Sequence, residues 1–255
     1  GYGVIAKLKP DNINKRYDIE ITYVPTKQEI DNAAVGTIVG SEIVHSPDGI
    51  NTYRFNLSTI RGDYKDGSQN KNKLRMWGKE DFYPYKGDIF QERLYCILWQ
   101  KPKPKGNGEV YNFRTVSKDD LEREQKVITY VQNHIADWQL KGYIPDITIE
   151  RGYNTDQPIR ERGWTYWHHL FNPRQLLIAA LYQQHLNSGS TIPFTKLLDY
   201  NAKLCMWHSN PGPGRVGKTE HVFYNQSLNT LYNYATRASA WMAEFFSGGY
   251  KKYEL

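Results

Sequence analysis

A chain of 255 residues is long enough for one large domain or two small ones, with ample volume for a core. A formal net charge of +6 permits contact with nucleic acid without demanding it, and a composition 39% hydrophobic, rich in Tyr and Trp, is that of a globular chain. No apolar run is long enough for a membrane-spanning helix, and Cys96 and Cys205 lie far apart without metal-ribbon spacing, so a reducing cytoplasm is the expected compartment.

From Val4 to about Val116 the chain reads as strands and turns. Val4–Lys9, Arg16–Val24, Gly36–His45, Asn51–Leu57, Arg93–Gln100 and Val110–Val116 are β-branched or aromatic runs. Pro10-Asp11, Pro47-Asp48-Gly49 and Gly106-Asn107-Gly108 punctuate them. The segment from Arg61 to Lys105 carries eleven cationic against six anionic side chains, nearly the whole net charge of the protein. Trp77, Phe82, Tyr83 and Tyr85 are interleaved with it, and exposed aromatics among basic residues suit single strands or flipped bases. A solvated loop is the plainer reading of the same charges.

From Ser117 the period becomes helical. Ser117 caps a helix expected to reach about residue 141, with Leu121, Ile128, Val131, Ile135 and Trp138 on one face. Tyr143 to Arg162 reads as a charged, turn-rich loop. The next helix, 173–187, is the best specified in the chain. Asn172 is its N-cap, Pro173 occupies the first position, and Gln175 completes a capping box. Phe171 and Leu176 have the spacing of a hydrophobic staple, and Leu176 to Leu181 is apolar on every side, as in a buried helix. Arg174 is out of place, because a cation in the first turn faces the positive end of the helix dipole. It therefore calls for an anionic partner, either a buried carboxylate elsewhere in the fold or a phosphate or other ligand. Further helices are expected over 195–208 and 227–246, giving an α+β fold with a β-rich subdomain over 1–116 and a helical one over 117–255.

Gly212-Pro-Gly-Arg-Val-Gly217-Lys218-Thr219 matches the phosphate-cradling P-loop pattern. That loop needs a buried strand before it and a helix N-terminus after it. Here an amphipathic helix is expected before it, and only 36 residues follow Thr219, so Gly212, Gly217, Lys218 and Thr219 are read as a decoy surface loop. His168 and His169 are read as packing or capping residues, since adjacent histidines diverge and no acidic partner has a set spacing. No catalytic, cofactor-binding or metal-ligating set is assigned.

Leu170–Leu176 (Leu-Phe-Asn-Pro-Arg-Gln-Leu), Asp199-Tyr-Asn-Ala-Lys-Leu-Cys-Met-Trp207 and Phe223-Tyr-Asn-Gln226-Ser-Leu228 follow one another in order. In this the chain resembles the middle of the large bacterial and archaeal adenine-specific DNA methylases of the zinc-ribbon type, over about Trp164 to Ala235. Gly87–Tyr95 extends the likeness weakly. The zinc-ribbon cysteines and the Asp/Asn-Pro-Pro-aromatic tetrapeptide of such enzymes are absent, the nearest string being Asn210-Pro211-Gly-Pro. No Gly-rich turn for S-adenosylmethionine is present either. In that family the catalytic tetrapeptide lies beyond the Phe-x-x-Gln motif, so the resemblance implies an internal, non-catalytic segment, with S-adenosylmethionine the cofactor of the parent protein. The expected partners are the remainder of that parent chain and DNA, with no membrane. In the DNA-engaging version, Lys71, Lys73, Arg75 and Arg174 meet phosphates, while Gln175, Asn201, Trp77 and Trp207 read or stack on bases. In the alternative, the same segment braces the methyltransferase core, its motifs are core packing, and Arg174 pairs with an internal carboxylate.

Overall fold

The computed structural model describes residues 4–11, 13, 16–35, 38–39, 42–45, 52–102, 109–153, 155–187, 190–205, 207–208 and 218–222. The expected helix 227–246 and the motif at Phe223–Leu228 lie outside them. The protein is α+β, and its chain forms two compact units. One comprises Gly1–Lys73 with Arg93–Leu121, the other Leu74–Glu92 with Glu122–Leu255. This division departs from the expected boundary at residue 116, because Leu74–Glu92 leaves the strand-rich unit and joins the helical one.

In the first unit every described strand pair is antiparallel. β1 (Ile5–Asp11) pairs with β2 (Arg16–Thr22), in register from Ile5↔Thr22 to Asp11↔Arg16. A helix, α1 (Lys27–Val35), follows. Thr26 and Glu29 cap it reciprocally: Thr26 N–H donates to the Glu29 carboxylate, and Glu29 N–H donates to Thr26 Oγ1. β3 (Ile38–Val39), β4 (Glu42–His45) and β5 (Tyr53–Asn56) make a three-stranded sheet, and a short helix, α2 (Leu57–Arg61), leads on from it. β6 (Tyr64–Asp66) and β7 (Gln69–Lys71) form a hairpin whose two-residue loop begins at Gly67, with φ +60°. β8 (Cys96–Pro102) pairs with β9 (Glu109–Thr115). All six strand runs expected from the sequence contain a strand. Helices α1 and α2 were not expected.

α3 (Lys118–Leu140) starts where the sequence put it. Ser117 N–H and Oγ–H both donate to the Asp120 carboxylate, and Asp120 N–H returns to Ser117 Oγ. Val131, Ile135 and Trp138 are buried and Ile128 packs against them, whereas Leu121 is exposed. α4 (Asp156–Arg162) falls in the stretch expected to be a loop, and Pro158 is accommodated in its first turn. A single 3-10 turn, Trp167–Leu170, precedes α5 (Pro173–Gln183). Asn172 Oδ1 accepts from Gln175 N–H, Gln175 Oε1 accepts from Asn172 N–H, and Phe171 packs in the cluster that holds Leu176. The helix is buried on one face only: Gln175, Leu176, Ala179 and Ala180 are inside, while Arg174 and Leu181 are exposed. α6 (Thr191–Asp199) ends eight residues after it begins, and the expected continuation to 208 is replaced by turns at 200–205. Hydrogen bonds from Tyr200 N–H to Leu197 and from Asn201 N–H to Leu198 tighten the exit. β10 (Trp207–His208) then pairs with β11 (Lys218–Thr219). Among the described residues no helix is long and apolar enough to cross a membrane.

The core of the helical unit gathers Phe82, Val131, Ile135, Trp138, Ile144, Leu176, Ala180 and Leu197. Phe82 comes from the irregular segment Leu74–Glu92, which lies across this unit as a strap. The strap meets the turn after α4 at Gly163. There φ is +75°, Gly163 O accepts from Trp77 N–H at 2.8 Å, and an added Cβ would fall 2.1 Å from Arg75 O. Gly142 has a similar φ of +72° but open space around the missing Cβ. Urea unfolding of the two alanine variants should therefore differ. Gly142→Ala should lose about 1 kcal/mol, the left-handed backbone cost alone, and Gly163→Ala at least about 2 kcal/mol more for the clash. Equal losses would mean that the strap does not lie this close to Gly163.

Candidate functional site

The strap has no regular secondary structure, so its main-chain oxygens cannot be satisfied by a ladder. Side chains from elsewhere in the unit do it instead. His169 Nε2–H donates to Gly78 O at 3.0 Å, and His168 Nε2–H donates to Asp81 O at 3.1 Å. Gln139 Nε2 donates to Lys79 O at 2.7 Å, and Thr165 Oγ1 donates to Trp77 O at 2.5 Å. The other nitrogen of His169, Nδ1, accepts from the backbone N–H groups of Thr165 and Tyr166. That fixes a neutral tautomer and caps the 3-10 turn. Both histidines are completely buried, their rings 4.4 Å apart and edge to face. Burial pushes His168 down to about 4, and burial followed by the charge on His168 pushes His169 down to about 2. They are packing and capping residues, as the sequence suggested.

Beneath the strap lies a buried cation that the sequence did not single out. Lys203 is completely inaccessible, and its Nζ donates to the Glu92 carboxylate at 2.6 Å. Its ammonium also sits 5.0 Å from the Trp77 ring and 4.8 Å from the Trp164 ring, where aromatic faces attract a cation. Burial pushes the Lys203 amine down, and the neighbouring Glu92 carboxylate opposes that shift. Arg75 is clamped beside this pocket. Asp88 takes a bidentate pair at 2.7 Å to each oxygen, Asp81 takes a third bond, and the guanidinium lies 4.0 Å from the Tyr85 ring centre. These contacts, led by the Asp88 hydrogen bond, raise the Arg75 guanidinium further above its ordinary value.

Two of the stretches that resemble the methylase motifs meet here. Lys203 N–H donates to Leu170 O at 2.7 Å, and Gln175 Nε2 donates to Asn201 Oδ1 at 3.2 Å. Leu170–Leu176 and Asp199–Trp207 are thus tied once through main chain and once through buried amides.

The residues expected to touch DNA fall in quite different settings. Trp77, Gln175 and Asn201 are buried, at 5%, 2% and 3% exposure, so as the chain stands they do not lie on a surface. Phe82 is buried too, which leaves Tyr85 the exposed ring among the aromatics of the basic segment at 77–85. Arg174 is 45% exposed and pairs with Glu124 on α3, itself 25% exposed, so the anion for this first-turn cation comes from the chain but is not the buried carboxylate expected. Arg75 is engaged by two aspartates. Lys71 and Lys73 both lie in the strand-rich unit and are exposed; Lys71 pairs with Asp66 across its hairpin, and the stem of Lys73 lies against Gly62. Trp207 lies in β10 opposite Thr219. Gly212 and Gly217 lie outside the described residues. Lys218 and Thr219, which would open the helix of a true P-loop, pair instead as an antiparallel strand. Among the described residues no group of three or more His, Cys, Asp or Glu side chains is placed to hold a metal ion. Comparisons with protein-family models, with curated proteins and with solved structures find no match.

Two measurements probe this cluster. Glu92→Ala strands the Lys203 ammonium in an apolar site and should cost about 3–5 kcal/mol of stability, whereas Glu92→Leu with Lys203→Met together should be nearly neutral. A double variant as unstable as the single one would refute the burial argument. The second concerns pH. The unfolded chain protonates its histidines near about 6.5, but folded His168 does so only near 4. Between those values the unfolded state binds more protons, so stability falls with falling pH, by on the order of 3 kcal/mol from His168 alone. Carboxylates held low, such as Asp120 at about 2, act only below their ordinary range and so leave the window from about 6.5 to 4.5 to the histidines. His168→Gln, whose amide can still donate to Asp81 O, should remove about half of the melting-temperature slope in that window, His169 keeping the rest.

Proposed function

We propose that this chain serves as a non-catalytic internal domain of a DNA adenine-methyltransferase-like protein, one that braces the methyltransferase core rather than contacting DNA. The observation that carries the reading is the buried Gln175–Asn201 hydrogen bond, which joins two of the resembling motifs in one core. Side chains at those motif positions then matter because they hold the two segments together. Arg174 is explained in the same way, since Glu124 supplies its anion. The aromatic–cation cluster around Lys203 fits a rigid scaffold, because a completely buried ammonium has no access to a substrate.

DNA engagement is the second reading, and the cationic excess between Arg61 and Lys105 is the observation that favours it. Within that segment Lys71 is exposed, and Lys73 follows two residues later. Fluorescence anisotropy with duplex DNA across a salt series separates the two. A bracing domain should show no binding that depends steeply on salt. DNA engagement predicts a log–log slope that flattens by roughly 0.9 for each phosphate no longer neutralised, and so by a measurable step in Lys71→Ala/Lys73→Ala. In the same variants the melting temperature should hold, since exposed charges contribute little to folding. Arg174→Ala should lose no more than about 1 kcal/mol, because its ion pair is half exposed. Calorimetry should detect no micromolar binding of S-adenosylmethionine, and such binding would overturn the internal-domain reading.

A further inference from the structure

The stretch Asp199–Trp207 sends Asn201 and Cys205 into the core, but its first two residues stay partly exposed and meet a third. Asp199 Oδ2 accepts from His221 Nδ1–H at 2.5 Å. The far nitrogen of the same ring, Nε2, lies 2.5 Å from the Tyr200 hydroxyl, and the two rings are 4.0 Å apart. We propose that Asp199, His221 and Tyr200 form a proton relay that makes the Tyr200 phenol a nucleophile towards acid-derived electrophiles, that is acyl, phosphoryl or sulfonyl centres.

The order of groups is what such activation requires. A carboxylate orients the imidazole and fixes its proton on Nδ1, which leaves Nε2 as a base against the hydroxyl. In the step itself the Tyr200 Oη bond to the electrophile forms as the bond to the leaving group breaks and takes its electron pair. The phenolic proton passes to His221 Nε2, and Asp199 stabilises the resulting imidazolium. Lys196 lies 5.0 Å from the Tyr200 ring centre and 3.8 Å from Asp199 Oδ2, so a positive charge borders the relay and would favour an anionic electrophile.

Three features separate this from a mere fastening of the segment 218–222 onto α6. The segment is already held by main chain, through Val222 N–H to Asp199 O at 2.6 Å and through the pairing of β11 with β10. The relay is partly exposed, with the Asp199 and His221 side chains at 33% and 38% and Tyr200 half-buried, while Asn201 and Cys205 of the same stretch are buried. Lastly, the hydroxyl can donate to a neutral imidazole or accept from a charged one, so the chain of bonds survives the arrival and departure of a proton.

The test uses the whole chain and an aryl sulfonyl fluoride at about pH 7, with labelling rates read by peptide mass spectrometry. Ordinary phenols titrate near about 10 and react slowly at neutral pH. Tyr200 should be labelled about 100-fold faster than the exposed Tyr64 and Tyr153, the low end of what a positioned base contributes. His221→Gln should return Tyr200 to the pace of those two residues, and Asp199→Asn should bring it part of the way. If Tyr200 in the unaltered chain reacts no faster than Tyr64 and Tyr153, the relay is not an activating device. That comparison needs no variant, so misfolding of His221→Gln cannot rescue the proposal. None of the three side chains takes part in the Gln175–Asn201 tie, so failure here leaves the bracing reading where it stands.

Discussion

Four main-chain oxygens, those of Trp77, Gly78, Lys79 and Asp81, accept hydrogen bonds from side chains rather than from a helix or a sheet. A buried carbonyl left without a donor costs about as much as a lost hydrogen bond, so an irregular segment can cross a core only where donors are supplied one by one. The donors here are Thr165, His169, Gln139 and His168, from two separate parts of the chain. Their need to donate fixes the chemistry of the two histidines. Each must carry its proton on Nε2 and stay uncharged, because a second proton would have to be accommodated without water. His168 Nδ1 in fact has no partner among the described residues.

Once the strap is seated, the rest of the unit follows. Trp77 and Trp164 meet at 6.1 Å, edge to face, and together they form the aromatic wall against Lys203. Glu92, at the far end of the strap, supplies the anion. The strap thus neutralises at one end a charge that it encloses at the other. A polar cluster this dry stabilises little compared with an apolar one of the same volume, but it penalises any other arrangement heavily. Such selectivity is in keeping with the bracing role proposed above.

The sequence made legible what is decided within a few residues. The start of α5 could be read because Asn172, Pro173 and Gln175 act on one turn, and the strands could be read from their alternation. The start of α1 was open to the same reading, since Thr26 and Glu29 have capping-box spacing. α6 was read too long because the apolar stripe of Leu197 and Leu204 continues beyond Asp199, whereas the backbone turns there to bury Asn201 and Lys203. Arg174 announced a missing anion without naming it. The strap was illegible for a different reason: Trp77 and Phe82 among many charges look like a solvated surface until the donors that satisfy their backbone are known. Those donors lie 60 to 91 residues away. Lys203 gave only one sign, a lysine set between Ala202 and Leu204.

That separation has a consequence for the chain as it is made. A ribosome adds about 5–20 residues each second, so Trp77 and Gly78 emerge roughly 5 to 18 seconds before Thr165 and His169 do. For most of that interval two large aromatic side chains and the carbonyls of Trp77, Lys79 and Asp81 lack the donors and packing described above, and the whole β8–β9 hairpin is synthesised meanwhile. The nascent strap therefore spends that interval as exposed aromatic surface. A slower ribosome would lengthen its exposure while leaving the stability of the finished fold unaltered.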